Sequence, residues 1–340
     1  MCLVVQNLHK KYGDKTVVDN LSFEMDQPGV YALLGTNGAG KTTTIRMMLG
    51  MLSRDGGEIQ WNGCPLTTES CNVGYLSEER GLYPKYELMD QLLYFASLRG
   101  LSKSEAKSRI NQLAKRLDVE EYLYPDSVSP ISDASSSYTA FGEKSNLKNR
   151  WGLNRGKVGK ARKNMRADQL SKGNQQKIQL MISLLSDPEL LVLDEPFGGL
   201  DPVNVDLFKA VIREEIAKDK YIIMSSHQMA AVEEFCNNIT ILDRSKAVLQ
   251  GNLNQIKKSY GRVNLTLKTE IDITEYIMQS DIELLSEKEN EYQLKVTGEE
   301  QANRLLSKLI SNNVTVITFL LREPSLHEIF VEKAGENHGA

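Results

Sequence analysis

Gly35-Thr36-Asn37-Gly38-Ala39-Gly40-Lys41-Thr42 sets glycines, a lysine and a hydroxyl at the spacing G-x-x-x-x-G-K-[ST]. Glycines let such a loop curl until successive backbone N–H groups point at phosphate oxygens, and a helix N-terminus behind it adds the positive end of its dipole. The segment Gly35 to Thr43 is therefore read as a phosphate cradle. Lys41 would reach the β- and γ-phosphates, and the Thr42 hydroxyl would ligate Mg²⁺. A second reactive point closes the apolar run Leu190-Leu191-Val192-Leu193 with two adjacent acids, Asp194 and Glu195, before Pro196. There Asp194 can complete a Mg²⁺ site and Glu195 can polarise a water. A third is His227, after Ser225-Ser226, read as a γ-phosphate contact.

These residues need a scaffold, and the flanking sequence supplies it. Val30 to Leu34 is short and apolar enough for a buried strand ahead of the glycine loop, and Thr43 to Leu49 reads as a helix closed by Gly50. Leu190 to Leu193 is too continuously apolar for a half-exposed strand, so it is expected as a buried parallel strand carrying its acids at the C-terminal end. Tyr221 to Met224 is a third strand. Residues Leu3 to Met25 alternate apolar and polar positions around Gly13-Asp14, as two antiparallel strands with a turn would. Tyr12 stands at that turn, either as a half-buried strand aromatic or as a ring offered to a purine.

Further along, Cys71 to Pro84 reads as a short strand running into a loop with Glu78, Glu79 and Arg80. Helical spacing follows over Tyr86 to Leu101 and Lys103 to Leu117. Asp126 to Arg166 breaks the pattern: nine Lys or Arg face three acids, a net of +6, with almost no apolar periodicity. A mobile insertion is expected over 125–167. Order returns at Leu170-Ser171-Lys172-Gly173-Asn174, followed by a helix with Ile178, Met181, Leu184 and Leu185 on one face. Beyond Gly251, strands around Leu265, Ile282, Leu294 and Val314 to Leu321, with helices at Glu299 to Ile310 and Ser325 to Glu332, suggest a small βαββαβ domain. His327 there is expected to be a surface residue.

At 340 residues, 41% hydrophobic and a net charge of −4, the chain has room for a large core and more than one domain. No apolar run approaches a membrane span of about 18 residues, and the N-terminus lacks a signal sequence, so the cytoplasm is expected. Cys2, Cys64, Cys71 and Cys236 lack metal-ligand spacing.

In this order, the phosphate loop, Leu-Ser-Lys-Gly-Asn, Leu-Leu-Val-Leu-Asp-Glu-Pro, Gly-Gly-Leu-Asp and Ser-Ser-His resemble the nucleotide-binding domain of ATP-binding cassette (ABC) transporters, from about Leu3 to Leu253. The resemblance implies an α/β P-loop NTPase core with an antiparallel β subdomain and a helical subdomain over about 86–187. It implies a cassette over 1–253 and an accessory α+β domain over 262–335. Tyr12 would stack on adenine, and Leu170, Ser171, Lys172, Gly173 and Asn174 would form the signature loop. Asp201 would contact the opposite subunit, and His227 would be the switch histidine. Such proteins hydrolyse ATP with Mg²⁺ as head-to-tail dimers, homo- or heteromeric, so that one chain makes half of each site. They dock on a separate permease at the cytoplasmic face of the inner membrane.

Two departures are visible. Glu78 stands where most of the family has the glutamine that couples nucleotide to membrane domain, and as a carboxylate it can still ligate Mg²⁺ or its water. The signature reads Leu-Ser-Lys-Gly-Asn where Leu-Ser-Gly-Gly-Gln is common. With Glu-Glu-Arg-Gly-Leu-Tyr-Pro, they resemble a bacterial subgroup of drug, peptide and sodium exporters. Relatives acting on ribosomes or nucleic acid carry two cassettes or a long coiled coil, whereas this chain has one cassette and no sustained heptads, so no nucleic-acid partner is expected. A nucleotide sensor without turnover is opposed by Lys41 and Glu195. For the basic insertion three roles stay open: a solvated loop, attraction to anionic lipid, and RNA binding through Trp151.

Overall fold

The computed structural model describes residues 2–79, 81–124 and 165–336. They fall into two units, one of Met1–Glu78, Glu189–Gly198 and Ile212–Ala340, the other of Glu79–Pro188 and Gly199–Val211.

The first unit is built on a six-stranded sheet. Its strands are β3 (Gly29–Gly35), β6 (Val73–Leu76), β7 (Leu190–Asp194), β8 (Tyr221–Ser226), β9 (Cys236–Asp243) and β10 (Lys246–Asn252), in the order β10-β9-β3-β8-β7-β6. All neighbours run parallel except β10, which closes one edge antiparallel to β9. Every residue of β3, β7 and β8 is buried. With no solvent face to mark, such strands read as near-continuous apolar runs. Their C-terminal ends carry Gly35, Asp194 and Ser226, so the three sequence motifs arrive along one edge. α1 (Lys41–Met48) follows the loop after β3.

An antiparallel sheet of order β2-β1-β4-β5 joins β1 (Leu3–Tyr12), β2 (Lys15–Met25), β4 (Gly56–Trp61) and β5 (Cys64–Pro65). The expected alternation slips where Asn7 and Asn20 take left-handed backbone (φ 49° and 52°), and the β1–β2 register shifts between Val5 and Leu8. Asparagine adopts that conformation at low cost, and the Asn7 N–H is retained by the Ser22 hydroxyl at 2.8 Å. Trp61 meets Tyr221 edge-on, with ring centroids 5.1 Å apart, inside the core shared with β3 and α1.

A third sheet, β12-β13-β11-β14, consists of β11 (Asn264–Thr269), β12 (Glu283–Lys288), β13 (Glu291–Lys295) and β14 (Val316–Arg322), all antiparallel. With α9 (Thr274–Met278) and α10 (Glu299–Ser311) it encloses its own core of Leu265, Leu267, Tyr292, Leu294, Leu305 and Leu309. The order is βαββαβ. Between this sheet and β8 lie α7 (Met229–Glu233) and α8 (Leu253–Tyr260), and α11 (Leu326–Glu336) ends the described chain. Glu233 ties these helices together: it accepts from Lys257 Nζ at 2.6 Å and from the Leu326 N–H at 3.1 Å.

The second unit is helical, with α2 (Leu88–Leu98), α3 (Lys103–Arg116), α4 (Glu120–Leu123), α5 (Lys172–Leu184) and the start of α6 (Pro202–Ile216). Ser102 and Glu105 form a reciprocal capping box that fixes where α3 begins. Leu92, Ala96, Ala106, Ile110, Ile178 and Met181 are buried, as the apolar spacing of these helices requires. The expected basic insertion lies outside the described residues except at its end, where the Met165 carbonyl accepts from the Leu88 N–H at 2.9 Å and Arg166 pairs with Glu87. Among the described residues, no helix is long and apolar enough to cross a membrane.

Candidate functional site

The glycine loop turns between β3 and α1. Gly38 and Gly40 have φ of 81° and 108°, and a Cβ on Gly40 would stand 2.5 Å from the Val17 carbonyl oxygen, so the turn closes only with glycine there. Gly40 is also the N-cap of α1, which leaves the first-turn N–H groups without a side-chain cap. Lys41 is 6% exposed, and its ammonium donates to the Gly35 and Thr36 carbonyls at 2.8 and 3.2 Å. It also stands 3.4 Å from Glu195 Oε1.

Strand register carries the acids to this loop. Asp194, at the end of β7, accepts from the Thr42 hydroxyl at 3.2 Å and from the Ser225 hydroxyl at 2.5 Å, both on Oδ1. Its other oxygen, Oδ2, is buried with no hydrogen-bond partner. Burial pushes the Asp194 carboxyl above the usual aspartate range, opposed by those two hydroxyl donors. Glu195 leaves the strand with φ of 50°, left-handed backbone that a residue with a side chain rarely adopts. That bend turns its buried carboxylate to His227, whose Nδ1 lies 2.8 Å from Oε2 and whose N–H donates to the same oxygen at 3.3 Å. Lys41, Glu195 and His227 thus form one polar cluster, of which Lys41 and Glu195 line a cavity of about 280 Å³ bordered by Asn37, Thr42, Thr43 and Glu78.

The oxygens of Thr42, Asp194 and Glu78 are hard donors of the kind Mg²⁺ takes, and the buried Asp194 Oδ2, with no hydrogen-bond partner, keeps its lone pairs for such an ion. Among the described residues, no group of three or more His, Cys, Asp or Glu can hold a metal by itself. Mg²⁺ characteristically takes one or two protein ligands and fills the remainder with water and substrate phosphates, so the residues fit it.

The other site residues read from the sequence are Tyr12, Leu170–Asn174 and Asp201. Tyr12, half-exposed at the end of β1, has the Lys10 ammonium 5.3 Å from its ring centroid. The second unit holds Leu170–Asn174 and Asp201. Ser171 caps α5 by accepting from the Asn174 N–H at 3.2 Å, and the Asn174 amide donates to Tyr122 Oη at 2.8 Å. Gly173 faces Asn204, where a Cβ would approach Nδ2 to 2.9 Å. Asn204 in turn donates its N–H and amide to Asp201 at 2.9 and 2.5 Å, and these bonds hold the Asp201 carboxyl below its ordinary range. Ser225, Val17, Tyr122 and Asn204 were not singled out by the sequence, because their roles depend on cross-strand and inter-helix neighbours. Ser225 alone left a trace, as a polar interruption of an apolar strand.

The family model described as ABC transporter matches residues 18–198. The chain belongs to the ABC transporter family. A second model, described as the C-terminal domain of DrrA1-3-like ATP-binding proteins, matches residues 251–334. Over 336 residues the chain is 38% identical to an uncharacterised ABC transporter ATP-binding protein, YhaQ, of Bacillus subtilis strain 168, covering 98% of both chains. Over 250 residues it is 30% identical to the Nod factor export ATP-binding protein I of Burkholderia orbicola strain AU 1054, covering 72% of this chain and 69% of that one. A solved ATP-binding subunit of an ABC transporter superposes with a TM-score of 0.59 at 26% identity, over 76% of this chain and 93% of that one. The chain is accordingly an ABC transporter ATP-binding subunit, in a family of ATPases.

Proposed function

We propose that this subunit hydrolyses ATP as a head-to-tail dimer and that hydrolysis drives export through a separate permease at the cytoplasmic face of the inner membrane. Support for export comes from the relative named for Nod factor export. The observation that carries the catalytic reading is the buried contact of Glu195 with both Lys41 and His227 beside the unpartnered Asp194 Oδ2.

In this reading, the Gly35–Thr43 backbone and Lys41 hold the phosphates, and Glu195 orients and deprotonates the attacking water. His227 fixes the Glu195 carboxylate, and Lys41 neutralises charge that develops on the γ-phosphate oxygens. Thr42, Asp194 and Glu78 would hold Mg²⁺, which when bound offsets phosphate charge. Tyr12 would stack on adenine, and the Leu170–Asn174 loop with Asp201 would complete the partner's site. Residues 262–335 would be an accessory domain on a cassette spanning 1–253.

Replacing Glu195 by Gln keeps the shape and the cradle but removes the base. Turnover should fall about 100-fold or more while ATP affinity stays within a few-fold, and ATP-bound dimers should accumulate on size exclusion. Wild-type turnover by Glu195→Gln would rule Glu195 out as the base.

A further inference from the structure

Ser225 is wholly buried near the end of β8, after four large apolar residues, Tyr221 to Met224. A hydroxyl in that position costs free energy unless its hydrogen-bonding capacity is used. Strand register decides how it is used: Ser225 lies opposite Asp194 on β7 and opposite Leu33 on β3. A serine hydroxyl has a single proton to give. Here the proton goes to Asp194 Oδ1 at 2.5 Å, and the oxygen accepts from the Glu195 N–H at 3.0 Å. The same N–H also lies 3.2 Å from the Ser225 carbonyl.

One hydroxyl therefore holds both acids. By occupying Oδ1 together with Thr42, it fixes the carboxylate plane and leaves Oδ2 as the unpartnered oxygen. By holding the Glu195 N–H, it pins the peptide at which the chain turns into left-handed backbone, and that turn sends the Glu195 side chain to Lys41 and His227. We infer that Ser225 is a positioning residue for hydrolysis, setting the cation-facing oxygen of Asp194 and the water-facing carboxylate of Glu195 together. The inference rests on the proposed roles of those two acids. Its effect is specific: the hydroxyl bonds to Asp194 and to the Glu195 N–H, not to the loop after β3, so nucleotide binding without a metal should change little when it is removed.

The test uses the full chain with Ser225→Ala and Ser225→Thr, the second keeping the hydroxyl. Two readouts are needed: binding of a fluorescent ATP analogue with Mg²⁺ or with EDTA, and steady-state turnover against Mg²⁺ and ATP concentration. Groups that orient metal ligands are typically worth 10–100-fold when removed. Ser225→Ala should bind the analogue in EDTA within about twofold of wild type. It should lose about tenfold or more of the Mg²⁺-dependent gain in affinity, need more Mg²⁺ for half-maximal turnover, and lower kcat more than it raises KM. Ser225→Thr should recover most of both. Wild-type Mg²⁺ dependence and kcat in Ser225→Ala would overturn the inference, as would a loss appearing equally in EDTA and unrelieved by threonine, which marks a packing role. If the wild-type chain itself shows no Mg²⁺-dependent turnover, it is the ATPase assignment that fails.

Discussion

Glu195 shows how one backbone angle makes a site out of a strand end. Continued as extended chain, residue 195 would follow the alternating path of β7, but at φ 50° its carboxylate reaches Lys41 and His227 instead. A non-glycine residue held there stores roughly 1–3 kcal/mol, offset by hydrogen bonds from its own N–H to Ser225 and from the Gly198 N–H to its carbonyl. Gly40 is the complementary case, where only the absence of a side chain permits the turn. Gly40→Ala sets a methyl against the Val17 carbonyl in a backbone region alanine rarely enters. We expect it to weaken nucleotide binding about tenfold or more in titration calorimetry and to lower stability by about 1–3 kcal/mol. Unchanged affinity would mean that the loop can rearrange without losing its function.

At the scale of elements, the legible parts of the fold were those where periodicity or glycine spacing reflects burial on known faces. β3, β7 and β8 are continuous apolar runs because both faces are covered, and α2 and α3 show their stripes because one face is not. β9 and β10 carry no clean period: β9 opens on Cys236-Asn237-Asn238, and β10 is an edge strand with no fully buried residue. The same limit explains the site. Lys41 and Asp194 announce themselves by type and spacing, whereas the Glu195–His227 contact spans 32 residues and follows from strand order alone.

β14 and α11 are joined by a local contact, between side chains six residues apart. Arg322 donates twice to Glu328, at 2.7 and 2.8 Å, and Glu328 also accepts from the Ser325 N–H. These bonds, the arginine's foremost, bring the Glu328 carboxyl down to about 2, against about 4.3 for an unstructured glutamate. A depressed folded-state value stabilises above the unfolded value, and that contribution is lost as pH falls from about 4.3 toward about 2. The pair is more than a third exposed, so its worth is limited to about 1 kcal/mol or less. Urea denaturation of Glu328→Gln should show a deficit at pH 7 that narrows below about pH 4.3. A deficit independent of pH would assign the loss to packing.

For the molecule as a whole, the question is how much of the chain the ATPase needs. At the end of the basic run the Met165 carbonyl receives the first N–H of α2, the Arg166 backbone forms a β-bridge with Glu87, and the Arg166 N–H donates to Gln169 at 2.8 Å. From Gln169 the chain passes to Leu170 and to Ser171, the cap of α5. Two replacements by a short Gly-Ser linker therefore should behave differently, although they differ by two residues. Replacing 126–164 removes most of the net +6 charge and none of these bonds, so ATP turnover should stay within about twofold and the melting temperature should hold. Extending the replacement through Arg166 leaves those backbone groups to a flexible linker that does not hold them in place, so the N-terminal end of α2 loses its fixed acceptor and the turn before Ser171 is freed. Each lost hydrogen bond should cost about 1 kcal/mol, with turnover falling as Ser171 loses its fixed approach. Equal rates and stabilities in the two variants would show that Met165 and Arg166 do not anchor the loop, and loss already in the shorter replacement would give the basic run a part in hydrolysis itself.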